Sequence, residues 1–175
     1  MSFGIYLKKK LIIGLKIKKK EMDLFGNDTI RTCLMKLLLV ELGNEEGYYV
    51  ETEAFPHIDI GYFSNSSKTE WAKWSFEIAI EHENKKNPSW QEECSKLMGI
   101  NAGLKVLISY FSETKEKLYD EINEFSDIYQ SRLYHQKEDK YLFIFIPLND
   151  CIKIDKYFVY KFYDDKLINI QGNPT

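Results

Sequence analysis

Two glutamates set two residues apart, Glu81 and Glu83, carry the first chemistry legible in this chain. They fall in Phe76-Glu-Ile-Ala-Ile-Glu-His-Glu-Asn84, which reads as a strand. Phe76, Ile78 and Ile80 share one face, and Glu77, Ala79, Glu81 and Glu83 share the other. Alternate residues of a strand lie about 6.6–6.8 Å apart, so both carboxylates can address one point of space. Like charges there raise each other's pKa unless a cation sits between them, and the obvious cation is a metal ion. The same pattern also serves as the solvated end of a sheet, where charge discourages aggregation.

The elements that must position these acids follow from caps, periodicity and turn residues. Asn27 or Asp28 caps a helix running to about Leu42, with Gly43 as its stop. Its apolar stripe is Ile30, Cys33, Leu34, Leu37 and Leu38, and Glu41 continues that line. Gly47 to Ala54 and His57 to Phe63 read as strands joined by a turn at Phe55-Pro56. In the second, Ile58, Ile60 and Tyr62 face one way and Asp59 and Gly61 the other. Trp71 to Asn84 is the third and longest strand.

Ser89 with Glu92 forms a capping box for a helix whose apolar face is Trp90, Cys94, Leu97 and Met98. Leu104 to Tyr110 is a strand, a helix follows from Ser112 with Leu118 and Ile122 on its stripe, and Lys140 to Ile146 is a buried strand. Tyr157 to Tyr163 and Leu167 to Ile170 close the chain as a β-hairpin. A strand–helix–strand step in the middle implies a parallel pair, hence an α/β domain with a mixed central β-sheet flanked by helices on both faces.

Composition narrows the class. With 175 residues, 44% hydrophobic and 15% aromatic, the chain can bury a substantial core and is not intrinsically disordered. No apolar run approaches the roughly 20 residues of a membrane-spanning helix. Cys33, Cys94 and Cys151 are widely spaced and odd in number, which speaks against a disulfide framework or zinc site and fits a reducing cytoplasm. Residues 1–20 hold seven Lys and no acid, leaving 17 basic against 27 acidic groups in the rest. We therefore divide the chain into a Lys-rich arm or edge strand, 1–21, and a single domain, 22–175. The arm could touch phosphates, and Met22 is an alternative start of the folded chain.

This order resembles the core of the PD-(D/E)XK nuclease superfamily, the restriction-endonuclease-like fold, over about residues 28–110. The matching residues are Asp59 in Pro56-His-Ile-Asp59, and Glu81 and Glu83 in Ile80-Glu-His-Glu83. Glu83 stands where the family usually has Lys, although some restriction enzymes carry Glu there. In other branches the Lys migrates to the following helix, where Lys96 is the matching candidate.

The resemblance implies a Mg²⁺-dependent deoxyribonuclease, with Mn²⁺ as a substitute ion. Asp59 and Glu81 would hold the metal with the His82 carbonyl. Glu83 would act as base or second-metal ligand, and Lys96 would orient the nucleophile or stabilise charge. DNA is the implied partner, with a homodimer or a partner protein of a defence system beside it. The alternative is a nuclease-fold protein whose catalysis has lapsed, kept as an interaction or regulatory module. His82, on the opposite face from Glu81, reads as a core or supporting residue. Trp71 and Trp74 could stack on bases, and Lys85 and Lys86 could meet a phosphate backbone.

Overall fold

The structure, a computed structural model, describes residues 28–54, 57–64, 76–83, 89–111, 114–131, 140–147, 158–163 and 166–169. The Lys-rich arm, Trp71, Trp74, Lys85 and Lys86 lie outside them. Among the described residues ten elements follow in the expected order: α1 (Asp28–Glu45), β1 (Tyr49–Ala54), β2 (Ile58–Phe63), β3 (Phe76–Glu83), α2 (Ser89–Met98), β4 (Ala102–Phe111), α3 (Lys115–Ser131), β5 (Tyr141–Pro147), β6 (Phe158–Tyr163) and β7 (Lys166–Asn169). The strands form one seven-stranded mixed sheet in chain order. β1–β2–β3 is an antiparallel meander, β3–β4 and β4–β5 are parallel pairs, and β5–β6–β7 is antiparallel again. α2 and α3 each make the crossover that a parallel pair requires. The terminal hairpin is β6–β7.

Two apolar layers sandwich the sheet. Met35, Leu38, Leu39 and Leu42 of α1 pack on Ile60, Tyr62, Ile78, Ile80, Val106 and Ile108. On the other face Trp90, Cys94 and Leu97 of α2 and Leu118 and Ile122 of α3 cover Ala79, Leu107, Phe143 and Phe145. The Trp90 indole N–H also donates to Glu121 Oε2 at 3.2 Å, tying α2 to α3. Strands covered on both sides are apolar on both sides, which is why β4 and β5 read as near-continuous hydrophobic runs. Among the described residues no helix is long and apolar enough to cross a membrane.

Three expectations need correction. The buried stripe of α1 is shifted along the helix: Cys33 is exposed, Leu37 is 54% exposed, and Met35 and Leu39 are buried instead. The run Leu34-Met-Lys-Leu-Leu-Leu39 is apolar on nearly every side, so periodicity alone cannot fix its phase. Phe76 and Ile58 join the α2 layer rather than that of Ile78 and Ile60. Phe76 packs its ring on Phe63, with centroids 4.9 Å apart, in space that Gly61 leaves open. The third helix starts at Lys115, and Thr114 provides its cap: the Thr114 carbonyl accepts from Leu118 N–H and its hydroxyl from Lys117 N–H.

Gly43 also does not stop α1. The helix runs on to Glu45, and Gly47, at φ 80°, adopts the left-handed conformation that ends it. Gly43 is instead a point of close approach. A Cβ there would lie 2.5 Å from Val50 Cγ2 and 2.9 Å from the Tyr62 ring, whose hydroxyl donates to the Leu39 carbonyl. Gly43→Ala should therefore lose about 1–3 kcal/mol by overpacking, partly offset by the roughly 1 kcal/mol helix preference of Ala. Urea unfolding would check this; a stabilised variant would contradict the packing.

Candidate functional site

Antiparallel pairing registers Ile60 with Ile80 and Tyr62 with Ile78, which carries Asp59 to the position opposite Glu81. The registered pairs end at Ile60–Ile80, and there a side chain takes over from the backbone. Asp59 Oδ2 accepts the His82 N–H at 3.0 Å. Asp59 and Glu81 are also hydrogen-bonded carboxyl to carboxyl. Glu81 is 2% exposed, and its Oε1 has no hydrogen-bond partner. An unsatisfied buried carboxyl oxygen is costly and calls for a physical reason.

Charges gather round the pair from both faces of the sheet. Lys36, on the border of the buried stripe of α1, places Nζ 2.9 Å from Asp59 Oδ1 and is also ion-paired to Glu53 of β1. From α2, Glu93 and Lys96 form an ion pair at 2.5 Å, and both act electrostatically on Glu81. Burial pushes the Glu81 carboxyl up to about 9, with the Asp59 charge next and that of Glu93 after it. Asp59 moves the other way. Burial would raise it, but hydrogen bonds from Lys36 and the His82 N–H, with the Lys36 charge, hold it below the usual carboxylate range. The two carboxyls are thus driven apart, Glu81 upward and Asp59 downward, as in a pair that shares one proton.

The lysines are held charged. Burial alone would lower Lys36, but its hydrogen bonds to Glu53 and Asp59 and their charges outweigh it. Lys96 is raised too: desolvation opposes the shift, and Glu93, Glu81 and Asp59 overcome it.

No family model matches this chain, and no curated protein matches it.

Of the four residues expected here, Asp59 and Glu81 touch each other. Lys96 stands beside them, bound to Glu93 and 47% exposed. Glu83 is buried one step further along β3, in register with Ser109 of β4. Among the described residues no three His, Cys, Asp or Glu side chains come together as a metal-holding group. His82 is buried with its ring edge-on to Tyr110, at 5.5 Å, in the α1 layer, so it supports the site through its backbone. His57 is exposed with φ 75°.

Lys36 and Glu93 were missed in the sequence. A lone Lys within Leu34-Met-Lys-Leu-Leu-Leu39 was the available signal for the first, since a charge inside an apolar helical run usually has a partner. For Glu93 the signal was its i,i+3 spacing to Lys96.

Proposed function

We propose that this chain is a metal-dependent phosphodiesterase, a DNA endonuclease of the restriction-endonuclease-like kind, with its site at Asp59 and Glu81. The observation that carries the reading is the carboxyl pair from neighbouring strands, with Glu81 Oε1 buried and unpartnered. A divalent ion would replace the shared proton, satisfy that oxygen and offset the burial and the Asp59 charge that now lift Glu81.

The donor set suits a small hard cation. Mg²⁺ takes oxygen ligands and is commonly held by one or two carboxylates, keeping several waters and leaving room for phosphate oxygens. Asp59, Glu81 and the His82 carbonyl would hold it. When bound, such an ion supplies positive charge to the scissile phosphate and lowers the pKa of the attacking water. The other roles belong to the chain. Glu83, two residues on along the same strand, accepts the proton from that water or helps to hold a second ion. Lys96 counters the negative charge around Glu81 and orients the nucleophile. The His82 N–H keeps Asp59 oriented when its neighbours change.

One observation favours the lapsed-catalysis reading. Asp59 already carries a counter-charge in Lys36, so the pair can persist as a structural device without metal.

Metal response separates a metal site from plain surface acids. Ligand that binds only the folded state adds RT ln(1 + [L]/Kd), about 2.7 kcal/mol at a hundredfold excess over Kd. Millimolar Mn²⁺ should therefore raise the melting temperature of the wild type and leave Glu81→Ala nearly unmoved. No shift in the wild type would remove the metal site and the function built on it.

A further inference from the structure

We propose that Lys36 is a stand-in cation: it holds Asp59 while the site lacks metal and passes wholly to Glu53 when a divalent ion takes that carboxylate. This rests on the metal-site reading above and concerns how that site is regulated.

The geometry that carries it is one ammonium between two carboxylates in different settings. Lys36 lies 2.9 Å from Asp59 Oδ1 and pairs at the same time with Glu53 Oε1. Asp59 is half-buried, whereas the Glu53 side chain is 72% exposed. Glu53 faces Asp59 across the β1–β2 pair, since Thr52 registers with Ile60 and Ala54 with Ile58 on either side of it. Its backbone has φ 54°, a left-handed conformation that residues other than glycine rarely adopt. Such outliers persist where the surroundings over-determine them, which makes an outlier beside a charged cluster grounds for a functional hypothesis.

A divalent ion and an ammonium compete for one carboxylate, because two cations at that point repel. Lys is suited to yielding: its charge is compact, at the end of a flexible four-carbon stem. Glu53 keeps hold of it, so metal entry breaks one of two ion pairs and expels no group into solvent. Lys36 thereby neutralises Asp59 in the empty site at small cost to binding. The buried, unpartnered Oε1 of Glu81 is the other half of the site, where metal would satisfy that oxygen and release the proton shared with Asp59.

The test is Mn²⁺ affinity by isothermal titration for the wild type, Lys36→Met, Glu53→Gln and the double variant. Lys36→Met should bind Mn²⁺ roughly two- to fivefold tighter, the size of the competition from one partly exposed ion pair. Glu53→Gln should weaken binding severalfold in the wild type, because Lys36 then has nowhere else to go. It should change nothing in the Lys36→Met background. A simple long-range effect of the Glu53 charge predicts the same weakening in both backgrounds, and that additive result would overturn the proposal. Unchanged or weaker binding by Lys36→Met would overturn it too. If Lys36→Met does not fold, Lys36→Gln carries the same comparison. The two levels fail differently. A wild type that does not bind Mn²⁺ removes the site itself. Binding that Glu81→Ala abolishes, with additive Lys36 and Glu53 effects, removes only the stand-in role.

Discussion

Glu81→Gln should melt well above the wild type at pH 8 in the absence of metal, and close to it at pH 5. In the folded chain burial and the Asp59 charge hold Glu81 protonated up to about pH 9, whereas an ordinary glutamate releases its proton near 4.5. A group whose folded pKa is raised contributes stability that is fully present below the unfolded value and is lost as pH rises through the folded one. The window therefore runs from about pH 4.5 to about pH 9.

The slope there is on the order of 1 kcal/mol per pH unit. From pH 5 to pH 8 that is about 3 kcal/mol, or roughly 6–12 °C in a chain of this size. Asp59 in the pair and Lys36 beside it shift away from that interval. Asp59 is lowered, so its contribution is present above the ordinary carboxylate range and is lost as pH falls below it. Lys36 is raised above 10.5, so its contribution is lost only at higher pH still. Gln copies the protonated acid in shape and donor and cannot ionise. The variant's profile should therefore be flat where the wild type declines. Parallel profiles for the two proteins would show that the pair does not share a proton.

Much of the fold was legible before any coordinates. The Ser89–Glu92 capping box and the uninterrupted run Tyr141–Ile146 delimit elements by local chemistry, and the order of helices and strands follows from such signals. What failed was phase. Leu37 and Leu39 are chemically equivalent in the sequence, and only the contact of α1 with Ile60 and Ile80 decides which is buried. Gly43 reads as a helix stop because the reason for it, the approach of Val50 and Tyr62, comes from two strands that follow it.

The site divides in the same way. Asp59 and Glu81 could be paired because acids on the β2 and β3 strands had a pattern to match. Lys36 reaches them from the other layer of the sandwich, and no spacing along the chain encodes that approach. Lys96 was expected to enter the site as its missing positive charge. It stands at the rim, engaged by Glu93, while Lys36 makes the direct contact with Asp59.

Cleavage is the second large effect, and it tests the central claim directly. Supplied with Mg²⁺ or Mn²⁺, the wild type should nick or linearise supercoiled plasmid DNA, and a chelator should abolish the reaction. Loss even of groups that merely orient a metal ligand costs 10–100-fold, so Glu81→Ala, which removes the proposed ligand itself, should lose more than about a hundredfold. Asp59→Asn should fall comparably. Because Glu81→Ala also removes a carboxyl whose Oε1 is buried without a hydrogen-bond partner, its metal-free fold should be at least as stable as the wild type, so lost activity cannot be ascribed to unfolding. The account predicts metal-dependent scission in the wild type that disappears in both variants while their folds persist. A wild type that binds Mn²⁺ yet leaves plasmid intact, or cleavage that survives Glu81→Ala, would contradict it.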